Sequence, residues 1–166
     1  MAESILSADR LKQLFHYDSD AGIFTRIVPT LRSKVGETAG TRNKLGYLVL
    51  RVDGKLYACH RLAWLYTNGQ WPEGVIDHVN GARSDNRIDN LRDVSRRTNQ
   101  QNMRSAFSSS KTGLLGASYC KEVGRYVSRI RTQGGKYLVI GYFDSPELAH
   151  ESYVEAKRRL QDGCTI

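Results

Sequence analysis

The sequence predicts an α+β protein assembled from small units, on three observations. A turn dipeptide, Asp53-Gly54, separates two apolar runs, YLVLRV and KLYACH, which is the signature of a tight β-hairpin. Between residues 75 and 104 the pattern reads strand, long polar loop, strand, helix. Beyond residue 112 three strand-like runs precede one capped helix. Runs of strands followed by helices, rather than strict alternation, belong to the α+β class.

A chain of 166 residues holds one ordinary domain or two small ones. The expected division is a domain over 1–104, consisting of a β-rich N-terminal extension and a core at 75–104. A linker follows at 105–112 (SAFSSSKT), whose four serines and lack of periodicity cannot support a packed element. A second domain is expected over 113–160, with a tail at 161–166.

Taken in order, Ser7 is placed to cap a short amphipathic helix that carries Leu11, Leu14 and Phe15 at helical spacing. A strand is expected around Gly22–Ile27, then a polar, glycine-punctuated stretch to Gly46. After the hairpin, RLAWLYTNG reads as a buried helix stopped at Asn68-Gly69. VIDH and NLRDV are strands flanking the turn-rich NGARSDNRID, and SRRTNQQNMR is a polar helix capped by Ser95. The C-terminal strands are LLGASYCK, RYVSRIRT and KYLVIGYF. The last helix opens at Asp144-Ser145-Pro146-Glu147, with Pro at its first position. Ala149, Tyr153, Ala156 and Leu160 share one of its faces. Strand alternation turns Ala117, Tyr119, Tyr126, Ser128, Ile130, Leu138 and Ile140 toward that helix. Ser118, Cys120, Arg125, Val127, Arg129, Arg131, Tyr137 and Val139 then face outward.

Net charge is +8 with a pI near 9.6, which favours an anionic partner. Residues 111–140 hold six cations (Lys111, Lys121, Arg125, Arg129, Arg131, Lys136) against the single acid Glu122. No apolar run approaches the ~18 residues of a membrane span, and the acidic start MAESILSADR is unlike a signal peptide. A cytoplasmic protein without a membrane partner is the expectation. Cys59, Cys120 and Cys164 form no CxxC pair, so neither a disulfide framework nor a cysteine-rich zinc site is encoded.

Hydrolysis of a phosphodiester needs a base for water, a cation for the phosphate and leaving oxygens, and a rigid frame. The 75–104 segment offers such parts: Asp77-His78 where the first strand ends, Asn90 at the start of the second, and Asn99 about one turn into the helix. Plainer readings stand beside these. A His next to an Asp is often a loop hydrogen bond, and Asn in NG or DN contexts is usually turn chemistry, the reading for Asn80 and Asn86. His60 reads as a packing or phosphate-contacting residue rather than a catalytic one. His16 and His150 read as surface residues, and Asp85 and Asp89 as solvated loop acids. Arg83, Arg87, Arg96 and Arg97 are either phosphate contacts or a soluble surface.

In their order and spacing, HRLAWLY, IDHVNG, DNRIDNLR and SRRTNQQN resemble the HNH (ββα-metal) endonucleases common in phages and among intron-encoded homing enzymes. The resemblance covers roughly residues 46–104. It implies a ββα-metal core in which His78 is the general base and Asp77 a metal ligand. Asn90 would pin the loop through backbone hydrogen bonds, and Asn99 would be the second ligand. Many members have His at that last position. Asn99 with Asp77 is a hard oxygen pair, which suits Mg²⁺ or Mn²⁺ rather than zinc.

Residues 116–160, with GYFDSPELA as their most specific part, resemble an AP2-type DNA-binding domain. The resemblance implies that the outward sheet face enters the major groove, with Arg125, Arg129 and Arg131 as DNA contacts and Lys136 beside them. Plant relatives carry Arg or Trp where Ser118, Cys120 and Val139 stand here, so their base code does not transfer. The expected activity is one-metal cleavage of double-stranded DNA by a monomer or homodimer, leaving 5′-phosphate and 3′-hydroxyl ends. The rival readings are a DNA-binding regulator that keeps an inactive nuclease fold, and an RNA-directed protein.

Overall fold

The computed structural model describes residues 6–132, 134–161, 164 and 165. The chain divides into two compact units, Met1–Arg96 and Arg97–Ile166.

In the first unit, Ser7 accepts a hydrogen bond from the Arg10 backbone N–H (3.2 Å) and so caps α1 (Ala8–Leu14). The chain then turns directly into strand β1 (Phe15–Asp18), where the sequence pattern had continued the helix. The reason is local. Phe15 and Tyr17 are buried while His16 and Asp18 are exposed, a period of two that a helix cannot satisfy. β1 pairs antiparallel with β2 (Ile23–Arg26), and β2 with β3 (Thr38–Ala39).

A second three-stranded sheet comprises β4 (Thr41–Arg42), β5 (Leu48–Val52) and β6 (Lys55–Ala58). Asp53 (φ 46°) and Gly54 (φ 84°) are both left-handed in its tight turn, as a two-residue hairpin loop requires. Helix α2 (Cys59–Asn68) buries Cys59, Leu62, Ala63 and Leu65 and stops at left-handed Gly69. β7 (Val75–His78) and β8 (Leu91–Val94) form a two-stranded hairpin, with a short 3₁₀ turn over Ile88–Asn90. α3 (Arg96–Gln101) follows, and the second unit begins within it.

The core of the first unit gathers Leu11, Phe15, Phe24, Leu50, Val52, Leu62 and Leu65. Ile76 and Leu91 belong to the same cluster, so the β7–β8 hairpin is fastened to a rigid base through its apolar side. Phe24 lies among the rings of Phe15, Tyr17 and Tyr66, with centroids 4.8–6.4 Å away.

In the second unit β9 (Ala117–Cys120), β10 (Arg125–Arg131) and β11 (Tyr137–Phe143) make an antiparallel sheet with β10 at its centre. Helix α4 (Pro146–Leu160) packs on all three strands. Ser145 caps it by accepting from the Leu148 N–H (3.2 Å), and Pro146 occupies the first turn. Lys157 is 1 % exposed; its Nζ donates to the Met103 carbonyl and lies 5.8 Å from the Tyr153 ring.

Arg125, Arg129 and Arg131 are exposed and Ser128 and Ile130 buried, but other faces depart from simple alternation. Tyr119 and Leu138, expected to face the helix, are 55 % and 47 % exposed, whereas Cys120 and Val127 are buried. On β11 the cause is a register shift between Ser128 and Arg129, whose partners are Gly141 and Val139; Ile140 is the extra residue. Such a bulge reverses the phase of the strand beyond it. Tyr119 sits on a four-residue edge strand and packs its ring edge-on against Tyr126 (5.2 Å).

Replacing Phe24 with Ala is expected to destabilise the first unit by about 3–5 kcal/mol, the usual range for a buried aromatic. Trp64 and Trp71, the only tryptophans, lie in that unit, so urea unfolding followed by tryptophan fluorescence reads it directly.

Candidate active site

The β7–β8 register sets Asp77 opposite Arg92 and His78 opposite Leu91. Asp77 is 7 % exposed and His78 5 %. One Asp77 oxygen accepts from Arg92 Nε (3.0 Å) and Nη2 (2.8 Å), an ion pair that offsets burial of the carboxylate. Arg92 was not singled out in the sequence, because only the register of the hairpin makes it a partner.

The loop between the strands closes on Asn90. Its Oδ1 accepts from the Asn80 N–H (2.9 Å) and its Nδ2 donates to the Asp85 carbonyl (2.8 Å), while the Val79 N–H reaches the Asn90 carbonyl. Asn80 makes a local turn, accepting from the Ala82 N–H (2.8 Å). Asp85 is not simply solvated. Arg87 grips both its oxygens (2.9 and 2.7 Å) and Asn80 donates to it, which together hold its carboxyl well below the usual carboxylate range.

Asn86, read from sequence as a turn residue, is instead 1 % exposed, with Oδ1 3.2 Å from His78 Nε2. The His60 ring stands nearly perpendicular to that of His78 at 5.1 Å, and Tyr47 flanks both at 5.3 and 6.0 Å. Arg83 lies 5.2 Å over Tyr47 and donates to the Leu45 carbonyl (2.9 Å); Arg42 donates to Ser84 (2.7 Å). The β4–β5 connection thereby supports the loop that carries Asn86. Asn86 and Tyr47 escape a motif reading because they come from different elements, whereas His60, read from sequence as a packing or phosphate-contacting residue, is brought beside His78 only by the fold.

Burial pushes the His78 imidazole below its ordinary range, opposed by the Asn86 hydrogen bond and the Asp77 charge. It is therefore neutral at neutral pH, as a proton acceptor must be. His60 is lowered to about 4, chiefly by burial and further by His78 and Arg61. Burial raises the Cys59 thiol to about 12, so it carries no thiolate near the site. His16 is exposed, whereas His150 is half-buried and its Nδ1 lies 2.7 Å from the Leu115 carbonyl.

The remaining candidates fall in both units. Arg83, Arg87 and Arg96 are exposed in the first. Asn99, Arg97, Arg125, Arg129, Arg131 and Lys136 are exposed in the second. Arg97 donates to the Thr132 carbonyl (3.2 Å), Arg131 to the Gly135 carbonyl (3.1 Å), and Arg125 pairs with Asp144. Among the described residues no group of three His, Cys, Asp or Glu side chains is disposed to enclose a metal ion. The oxygen donors near His78 are the carboxylates of Asp77 and Asp85 and the amide oxygen of Asn86. That set fits a hydrated Mg²⁺ or Mn²⁺, which keeps most of its waters, better than a closed zinc site.

Residues 57–101 match the family model of the HNH endonucleases. The HNH segment runs from the end of β6 through α2, the Asp77-His78 strand, the Asn90 loop and β8 into α3. It points to nuclease activity on DNA. No curated protein and no solved structure matches the chain.

The buried histidines make the fold sensitive to acid. In the unfolded chain an imidazole titrates near 6.5, whereas folded His60 accepts its proton only at about 4. Between these values the unfolded state binds more protons, so stability is full above pH 6.5 and falls as pH drops toward 4. Urea midpoints at pH 7.5 and pH 5 are expected to show this loss, and to show less of it in His60→Gln. An identical pH dependence in that variant would remove His60 from the account.

Proposed function

We propose that the protein is a divalent-metal-dependent DNA endonuclease whose general base is His78. The observation that carries this reading is a neutral, buried imidazole beside Asp77, at the end of a strand inside the HNH segment. His78 takes a proton from the water that attacks phosphorus in line. Asn90 fixes the loop so that this imidazole does not wander, and Arg92 orients the Asp77 carboxylate. Asp77, and Asn99 by its match to the last motif position, are the residues proposed to hold Mg²⁺ or Mn²⁺. When bound, that ion supplies positive charge to the phosphate and the leaving 3′ oxygen. The products are 5′-phosphate and 3′-hydroxyl ends.

Arg83, Arg87, Arg96 and Arg97 are the proposed phosphate contacts near the cut. The C-terminal sheet and helix are proposed as an AP2-like DNA-binding domain, with Arg125, Arg129, Arg131 and Lys136 on its DNA-facing surface. A phage or homing origin is consistent with this pairing of domains. The Asp77–Arg92 ion pair also suits a second reading, a DNA-binding regulator that retains the fold without cleaving, since it occupies one carboxylate oxygen.

His78→Ala is expected to lower the cleavage rate on the order of 10²–10⁴-fold while leaving duplex affinity nearly unchanged, because a base acts on the transition state. Cleavage at the wild-type rate would refute the assignment. In binding measured against salt, replacing Arg125, Arg129 and Arg131 together with Ala is expected to flatten the log–log slope by up to about 2.7, at about 0.9 per phosphate contact. An unchanged slope would mean that this face does not grip the backbone.

A further inference from the structure

The HNH segment begins at residue 57, and the chain before it carries a groove of its own. A cavity of about 480 Å³ opens at the end of the β1–β2 hairpin where Phe15 pairs with Arg26. The Asp53-Gly54 tip of the β5–β6 hairpin forms another wall. The floor is apolar, with Phe15 and Val52 buried beneath it. Its charged lining is one-sided: Arg26, Arg32 and Arg51 against the single acid Asp53. That acid is already engaged. Both Asp53 oxygens accept from Arg10 (2.9 and 3.0 Å), a bidentate pair. Among the described residues the three groove arginines have no carboxylate partner. Arg26 lies 5.1 Å over the Phe15 ring and Arg51 donates to the Gly54 carbonyl (2.6 Å), so both are placed while most of their donors stay unused.

The loop that carries Arg32 is short and tied. The Thr30 N–H donates to the Ser33 carbonyl (2.9 Å) and the Arg32 N–H to the Thr30 hydroxyl (3.3 Å). At its tip Leu31 is fully exposed, and Ile27, Val28 and Val35 on the flanking chain are exposed as well. A tight turn thus holds an apolar point in water on a cationic base. An apolar protein surface is a poor occupant, because it would bury guanidinium groups without counter-charge. A second copy of this chain would bring the same cations against one another. Duplex DNA supplies both halves of the match. It carries one anion per ~1.7 Å of axis, with apolar sugar and base edges in the grooves between its strands.

We propose that this groove is a further DNA-backbone site, in which Arg26, Arg32 and Arg51 hold phosphate and Leu31 packs against the sugar and base edges beside it. DNA as the ligand rests on the nuclease reading above; the anion site does not. Both hairpins run from the groove toward His78. β1 leads into the turn whose Ser19 carbonyl accepts from the Ile88 N–H (3.1 Å), and β5 begins beside Tyr47, whose ring lies 6.0 Å from that of His78. Each strand covers roughly 13–17 Å at ~3.3 Å per residue, which a duplex spans in about four to five base pairs. The site therefore grips DNA away from the cut.

The test titrates the full chain and its variants with duplex DNA across salt concentrations, in EDTA. Replacing Arg26, Arg32 and Arg51 together with Ala is expected to flatten the log–log slope by up to about 2.7, at about 0.9 per phosphate. Arg26 also packs on Phe15, so Arg32→Ala with Arg51→Ala, two exposed side chains, carries the test if the triple variant does not fold. Leu31→Ser is expected to weaken binding on the order of tenfold with the slope unchanged, since it removes apolar contact and no charge. Duplexes with one uncharged methylphosphonate at successive positions locate the contact. One cluster of positions, about four to five base pairs from the cut, is expected to weaken the wild type and not the arginine variants. Unchanged slopes in both arginine variants would overturn the proposal. Arginine-dependent binding of inorganic phosphate, with the duplex slope unchanged, would assign the groove to a free phosphorylated ligand and overturn DNA as its occupant. Arginine-dependent duplex binding by a chain that cuts no DNA would support the groove and sink the nuclease reading alone.

Discussion

A polar ring that is 5 % exposed must find its hydrogen bonds inside the protein, and His78 is such a ring. Much of the first unit around it follows from that demand. The loop from residue 79 to 90 folds back so that Asn86 meets the imidazole, and Asn90 ties the start of the loop to its end. Asp85, held by Arg87 and Asn80, stiffens the middle. The apolar side of the same hairpin, Ile76 and Leu91, joins the main core. The strands of this ribbon are thus anchored by burial, on the face that also carries His78, and its loop by a polar network. A two-stranded hairpin is marginal alone and needs both.

Electrostatics select how these groups are used. A single carboxylate, Asp77, lies beside His78 in sequence and is balanced by Arg92 across the strands. His60 is held neutral next to His78 and adds no competing positive charge at neutral pH. The chain as a whole is basic, with a net charge of +8, which favours an anionic ligand.

Elements specified by short-range rules were legible in the sequence. Asp53-Gly54 fixed its hairpin, Gly69 ended α2, and Ser145-Pro146 opened α4. Asp77 and His78 stood out because they are adjacent and close a strand. What stayed hidden depends on pairings over distance. Strand β1 was masked because Phe15 fits a helical stripe as well as a strand face. The face of β11 turned on one extra residue, Ile140, which no alternation rule contains. Arg92 needs the hairpin register, and Asn86 needs a turn made 64 or more residues earlier by Tyr17 through Gly22. The glycine in that turn looked like ordinary loop punctuation.

The central claim is that this chain cuts DNA with a hard divalent ion. Supercoiled plasmid incubated with the full protein in Mg²⁺, in Zn²⁺ alone and in excess EDTA, followed by analysis of the new ends, tests it most directly. The account requires cleavage in Mg²⁺ or Mn²⁺, little in Zn²⁺, none in EDTA, and 5′-phosphate with 3′-hydroxyl termini. Binding without cleavage under every condition, or full cleavage in EDTA, would contradict it.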